Sequence, residues 1–207
     1  MKANSNIILE GLEGNLILVP YLEEHVLQYH EWMKSEYLQE TTASEPLTLE
    51  QEYEMQKSWA QDEEKCTFII HSPLMKNTTT GGGGAFMSTS KYGGGMVGDC
   101  NLYWNIPEEP HTAEIELMIA EPEMRRKGLG RETLLIFMDF AARYLKVTKF
   151  VAKISLNNHA SLNLFQNTFG FEKESVSSIF NEITLVKQAA ISNEQEEPSL
   201  YKVRPLN

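Results

Sequence analysis

The order of apolar and polar positions in this 207-residue chain switches repeatedly between two periods. Runs with apolar residues three or four apart predict helices at 22–35, 49–60, 129–145 and 158–168. Short alternating or β-branched runs predict strands at residues 15–19, 66–71, 96–104, 112–120, 147–154, 171–176 and 179–187. Helices and strands mixed in this way predict an α/β fold built around one central sheet.

The strand predicted at 112–120 carries two carboxylates on one face. At period two, Glu114, Glu116 and Met118 point one way, while Leu117 and the two isoleucines point the other way. Such a pair of carboxylates is a candidate for proton transfer. The alternative interpretation is a solvated strand face, and the residues leave open whether Glu114 or Glu116 would be the base.

The segment that follows this strand has the composition of an anion site. It reads E-P-E-M-R-R-K-G-L-G-R-E-T from Glu121 to Thr133, with three consecutive cations, two glycines and the start of an amphipathic helix. Glycines let backbone N–H groups turn inward, and a helix N-terminus adds partial positive charge. The segment therefore predicts a pyrophosphate cradle. Neither the Walker pattern nor the G-x-G-x-x-G fingerprint occurs in it.

Three stretches resemble the GNAT acetyltransferases. Arg125 to Gly130 matches motif A, which is Arg or Gln, then x-x-G-x, then Gly or Ala. The stretch from Asn158 resembles motif B, except that Gly170-Phe171 closes it one residue late. Residues 15–21 and the helix after them resemble the RimJ-like branch. The chain is identified as a member of this family.

The resemblance implies the GNAT fold, a mixed, mostly antiparallel sheet that splays between the fourth and fifth predicted strands. It implies acetyl-CoA as cosubstrate and no metal. The general base would be Glu114 or Glu116, because Glu114 has the offset of the histone-acetylating branch and the RimJ-like offset falls on Ile115. The implied cofactor-binding residues are Met118, Ile119, Ala120, Arg125, Arg126, Lys127, Gly128, Leu129, Gly130, Arg131, Asn158 and Phe165.

The activity that the resemblance implies is acetyl transfer to a protein N-terminal amine by direct attack of the amine on the thioester. The strings Y-H-E-W-M-K-S and M-I-A-E-P are similar to a tubulin-acetylating group of the RimJ-like branch, which suggests tubulin as the acceptor. Two alternatives stay open. Phe165 stands where many relatives place a proton-donating tyrosine, which would fit a catalytically weak or inactive module that binds acetyl-CoA or a cytoskeletal partner. The second alternative is acetylation of a small amine.

The charge and composition of the chain indicate which classes of partner it can bind. The formal net charge is −11, with 14 acidic and 4 basic side chains in residues 1–65 but 8 basic and 2 acidic in residues 124–153. An acidic chain is a poor nucleic-acid binder, whereas its basic island suits a polyanionic cofactor. No apolar run is long enough to span a membrane. Cys66 and Cys100 are expected to be buried thiols. We expect a cytoplasmic monomer that uses neither nucleic acid nor membrane as a partner.

Two segments are poor in apolar residues. A Gly-rich insertion at about 73–95 and a tail at 188–207 are predicted to be flexible, because they bury too little apolar area to offset their ordering entropy. Residues 1–187 would then form one acetyltransferase domain.

Overall fold

The computed structural model describes residues 2–75, 91–104, 108–190 and 200–206. The α-helices among these residues are α1 (Val26–Trp32), α2 (Glu36–Thr42), α3 (Leu49–Gln61), α4 (Leu129–Tyr144) and α5 (His159–Leu162), which continues as a π-helical segment, Asn163–Thr168. The strands are β1 (Ile7–Gly11), β2 (Ile17–Pro20), β3 (Lys65–Ser72), β4 (Gly95–Tyr103), β5 (Thr112–Ile119), β6 (Lys149–Ser155), β7 (Glu172–Ser177), β8 (Glu182–Gln188) and β9 (Tyr201–Pro205).

All nine strands join one sheet in the order β7-β8-β6-β5-β4-β3-β2-β1-β9. Every neighbouring pair is antiparallel except β5 and β6, which are parallel. The mixed, mostly antiparallel sheet of the GNAT fold is therefore confirmed.

Helices cover both faces of the sheet, so its central strands are buried on both sides. On β3, Phe68 packs edge-on against Phe137 and Phe140 of α4. The next residue, Ile69, packs on the other face in a cluster with Tyr21 and with residues of α1. The alternation of side chains along a strand thus builds two hydrophobic layers, one under α4 and one under α1 and α3. Within the described part of the chain, no helix has the length and apolar character needed to cross a membrane.

Each predicted helix and strand is present, with its ends shifted by up to four residues. Helix α2 and strands β1 and β9 were not predicted from the sequence. Both missed strands are only five residues long and lie at one edge of the sheet, where β1 pairs with β2 and β9. Their structure depends on pairing with partners that are distant in sequence, so their own side-chain pattern carries little signal.

The expectation of a flexible tail is wrong for its last residues. Tyr201–Pro205 pair along the whole of β1, and the Tyr201 ring is buried with its hydroxyl 3.0 Å from Asp139 Oδ2. An edge strand presents unpaired backbone groups, and β9 satisfies those of β1. Residues 191–199 lie outside the described residues, and the limit of the domain at residue 187 stays a prediction.

The predicted insertion falls mainly on residues 76–90, which lie outside the described residues. Its two ends are part of the fold. Tyr92 packs against the rings of His25 and His71, and Gly94 lies so close to the Ser72 backbone that a side chain would collide with it. The expectation of flexibility is therefore corrected at these ends.

Candidate active site

The sheet opens where its two parallel strands diverge. β5 and β6 pair only at three positions of β5, Thr112, Ala113 and Glu114. Beyond Glu114 the edge of β5 faces an opening, as the resemblance implied for the fourth and fifth predicted strands. Ala120 N–H donates to Val97 O at 2.8 Å toward β4. Because backbone direction alternates along a strand, the N–H groups of Leu117 and Ile119 lie on the edge that faces the opening.

The loop after β5 leads directly into α4 and has the shape of an anion cradle. Arg126 has a φ of 62° and Gly128 a φ of 85°, so the chain turns sharply before the helix begins at Leu129. No side chain caps the N-terminus of α4. Its first N–H groups and the exposed side chains of Arg126, Lys127 and Arg131 are therefore placed to receive an anion.

Gly130 holds α4 close to β5. A Cβ at this position would lie 3.2 Å from Leu117 Cδ2 and 3.6 Å from Leu164 Cδ2. Contacts this tight leave little room for a side chain. Gly130 therefore serves the packing of the helix against the strand, while Gly128 serves the turn.

Arg125 has a structural role that the sequence did not indicate. Its guanidinium donates to Ile119 O and Ala120 O, both at 2.9 Å, and lies 4.9 Å from the centre of the Tyr37 ring. Two backbone acceptors thus engage this side chain and hold the end of β5 against the loop. Arg126, Lys127 and Arg131 are the cations that remain exposed for a ligand.

Motif B lies on the short helix that follows β6. Asn158 Oδ1 accepts a hydrogen bond from Ser161 N at 3.1 Å and caps α5. The π-helical segment Asn163–Thr168 follows, with Phe169 N–H donating to Leu164 O at 3.1 Å. A π-bulge accommodates one extra residue in a helix, which explains why Gly170 comes one position late.

Phe165 lies in this π-helical segment with 4% of its surface exposed. Its ring packs edge-on against Phe171, with the centroids 5.0 Å apart, and also lines a cavity beside β5. The residue therefore belongs both to the core and to the wall of the cavity.

The cavity has a volume of about 570 Å³ and lies where β5, β6, α5 and the α2–α3 region meet. It gathers five of the predicted site residues, Glu114, Glu116, Met118, Asn158 and Phe165. Residues 125–131 are not among its lining residues. They follow β5 in the chain, and Gly130 lies against Leu117 of that strand. The site thus has two parts, an anion cradle and a cavity, joined by the open edge of β5.

The two carboxylates of β5 are in different environments. Glu114 is 8% exposed, and its Oε2 accepts a hydrogen bond from Lys153 Nζ at 2.8 Å. Burial, together with the nearby Asp99 and Glu114 charges, raises the pKa of Glu116 to about 7. Glu116 is therefore close to half protonated near neutral pH, which is the range in which a carboxylate works best as a general base.

Sequence reasoning missed the residues that surround Glu116. Tyr103 hydrogen-bonds to Glu116 and accepts a hydrogen bond from Lys65 Nζ at 2.6 Å. Lys65 Nζ also lies 3.1 Å from the centre of the Trp59 ring, and burial lowers its pKa to about 8. Its positive charge in turn lowers the pKa of Glu116. The sequence did contain an indication of polar neighbours for Glu116. Polar residues recur at period two along β4, and β4 pairs with β5.

The charge of Asp99 also acts on Glu116, and the Asp99 carboxylate accepts two side-chain hydrogen bonds. Asn101 Nδ2 donates to Asp99 Oδ2 at 2.9 Å, and Tyr29 Oη donates to it at 3.3 Å. Burial raises the pKa of Asp99 to about 6. Within the described residues, no group of three or more His, Cys, Asp or Glu could hold a metal ion.

Comparison with known proteins agrees with this geometry. Residues 15–172 match the family model described as acetyltransferase (GNAT) domain. An N-acetyltransferase 9-like protein of Nematostella vectensis is 50% identical over 89% of this chain and 87% of its own length. The Homo sapiens alpha/beta-tubulin-N-acetyltransferase 9 is 46% identical over 99% of this chain and 96% of its own length. The similarity to a tubulin-acetylating group is confirmed.

Solved structures show the same fold at low identity. RimL, a ribosomal L7/L12 alpha-N-protein acetyltransferase in complex with coenzyme A, superposes with a TM-score of 0.68 at 15% identity, over 89% of this chain and 99% of its own. A spermidine N-acetyltransferase from Vibrio cholerae, in complex with CoA and spermine, gives the same TM-score at 15% identity, over 84% and 96%.

Proposed function

Since the chain belongs to the GNAT acetyltransferase family, we propose that it transfers the acetyl group of acetyl-CoA to the N-terminal α-amine of a protein. Several of its relatives bear the name alpha/beta-tubulin-N-acetyltransferase 9, which makes tubulin the candidate acceptor. The chain is an N-acetyltransferase by its family; the acceptor and the residue roles below are the proposal.

The anion cradle fits the pyrophosphate of acetyl-CoA. Uncapped N–H groups at the start of α4 and the exposed cations Arg126, Lys127 and Arg131 would hold it. The open edge of β5 at Leu117 and Ile119 would hold the pantetheine arm, together with Asn158. Acetyl-CoA supplies an activated thioester when it is bound.

Glu116 is the proposed general base, because it lines the cavity beside the open edge of β5 and burial raises its pKa to about 7. A free α-ammonium has a pKa of about 7.7 to 8.0, so a base of this strength can accept its proton with little free-energy cost. A lysine ammonium, at about 10.4, is mismatched by more than three units. Glu114 is the weaker candidate, because it is already engaged by Lys153.

Phe165 has no proton that it could donate to the departing thiolate. A thiol has a pKa near 8.5, so the thiolate leaves without protonation near neutral pH. The absence of a tyrosine at this position is therefore compatible with turnover.

The test is an acetyl-transfer assay with three acceptors: a peptide with a free α-amine and no lysine, the same peptide with a blocked N-terminus and one internal lysine, and spermidine. We expect transfer to the first acceptor alone. Preferential transfer to the lysine or to spermidine would overturn the proposal. Binding of acetyl-CoA without transfer to any acceptor would identify a binding module.

A further inference from the structure

The cavity beside β5 is strongly acidic. Its wall carries seven carboxylates, and the one cation among the described lining residues is Lys153, which already pairs with Glu114. The acidic lining residues are Glu40, Glu45, Glu52, Asp99, Glu114, Glu116 and Glu182. A cavity of this charge favours a cationic occupant. The reacting α-amine needs only one of these carboxylates, Glu116, and does not account for the others.

Glu52 stands out among these carboxylates because it is buried and incompletely paired. It lies on α3, is 1% exposed and lines the cavity. Its Oε2 has no hydrogen-bond partner among the described residues, and its Oε1 lies 3.8 Å from His30 Nδ1, beyond hydrogen-bond distance. Asp99 is equally buried but has hydrogen bonds from Tyr29 and Asn101.

A buried carboxylate oxygen without a hydrogen-bond partner is costly to the fold, and function is a common reason to keep one. Burial raises the pKa of Glu52 to about 6, so the group is mostly ionised at neutral pH. The cavity wall also contains Met33 and Met55, whose flexible side chains can pack against the alkyl stem of a long basic side chain.

We propose that Glu52 forms a second subsite of the cavity, which binds the guanidinium or ammonium group of a basic side chain near the N-terminus of the acceptor. The inference rests on the proposed function, since it assigns part of the acceptor that function requires. The enzyme would then read two positive charges, the α-amine at Glu116 and a side chain at Glu52.

Three variants test this subsite. Glu52→Gln removes the buried charge and keeps the size of the side chain. Glu54→Gln makes the same charge change at an exposed position of α3 and serves as the control. Glu52→Asp keeps the charge on a shorter side chain. Thermal unfolding of each variant checks that it is folded.

The acceptors are peptides of one length that carry a single arginine at position two, three or four, each matched by a peptide with neutral citrulline. For the wild type and Glu54→Gln, we expect one arginine position to raise kcat/KM by about 10-fold to 100-fold over citrulline, mainly through KM. Glu52→Gln should lose this preference and acetylate the citrulline peptide at the wild-type rate, whereas Glu52→Asp should retain part of the preference.

A wild type that does not distinguish arginine from citrulline at any position would overturn the inference and leave the proposed function intact. So would a preference that survives Glu52→Gln. If the wild type acetylates no peptide, the proposed function fails, and calorimetry of the same peptide pairs then decides the subsite by the presence or absence of an arginine preference in binding.

Discussion

The two parts of the site, the anion cradle and the cavity, differ in charge, in exposure and in how many elements form them. The cradle at residues 125–131 is one continuous, basic segment that is largely exposed. The cavity is acidic and partly buried, and it is assembled from strands β4, β5, β6 and β8 and from four helices. A polyanion such as pyrophosphate can be held by one loop and a helix terminus, because backbone N–H groups supply much of the binding.

A general base needs more than a loop. Glu116 reaches a pKa of about 7 through burial, through Asp99 and Glu114, and against the opposing charge of Lys65. These groups lie on three different strands. The proposed cosubstrate site thus lies in one local segment, whereas the pKa of Glu116 depends on the surrounding sheet.

The largest expected effect tests the cradle. Gly128→Asp forces a side chain into a φ of 85° and adds a negative charge beside the proposed pyrophosphate position. We expect acetyl-CoA affinity, measured by calorimetry, to fall by more than about 100-fold. Gly14→Asp is the matched control, since Gly14 also has a positive φ, of 73°, and open space around it. Equal affinity in wild type and Gly128→Asp would remove the assignment of the cradle.

The second effect tests which carboxylate of β5 is the base. Glu116→Gln should lower kcat by about 100-fold with acetyl-CoA affinity unchanged, because it removes proton transfer only. Glu114→Gln should cost less than about 10-fold, since that carboxylate is engaged by Lys153. Steady-state kinetics on both variants decides the matter, and the reverse order of effects would make Glu114 the base.

The third effect concerns stability and has a definite sign. The pKa of Glu116 is raised from 4.5 to about 7 in the folded state, so its ionisation weakens the fold increasingly as pH rises from 4.5 through 7. Glu116→Gln removes this penalty and should raise the free energy of unfolding at pH 8 by about 1 to 3 kcal/mol, with little change near pH 5. Urea unfolding at both pH values measures the difference. A variant that is equally destabilised at both would show that Glu116 is chiefly structural.

A smaller effect tests the tuning of the base. Lys65→Met removes the positive charge that lowers the pKa of Glu116, so that pKa should rise and the pH–rate profile should move to higher pH. We expect kcat/KM at pH 7 to fall by about 3-fold to 10-fold and to recover at higher pH. Lys57→Met, on the exposed surface of α3, should leave the profile unchanged. A loss of activity that is the same at every pH would indicate damage to packing instead.

The smallest effect is expected at Phe165. Phe165→Tyr places a hydroxyl where the ring already lines the cavity, but the thiolate leaves without help. Turnover of a free α-amine peptide should stay within about 3-fold of the wild type. An increase of a hundredfold would show that leaving-group protonation limits the natural enzyme.

The sequence by itself determined most of the helices and strands and the turn that leads into α4. Helical and strand periods are local properties, so each predicted element is found, and the facing of Glu114, Glu116 and Met118 follows from alternation along one strand. The cap at Asn158 and the turn at Gly128 are likewise decided by residues a few positions apart. Even the late Gly170 was visible in the motif, although its π-helical explanation was not.

The tertiary structure alone decided the chemistry of the cavity. A pKa depends on burial and on charges from elements far apart in sequence, as the contact between Lys65 and Tyr103 shows across the β3–β4 pair. The incomplete pairing of Glu52, the packing of Arg125 over the Tyr37 ring and the docking of β9 on β1 also depend on distant partners. Local patterns do not contain these contacts, because they form only when the sheet brings its strands together.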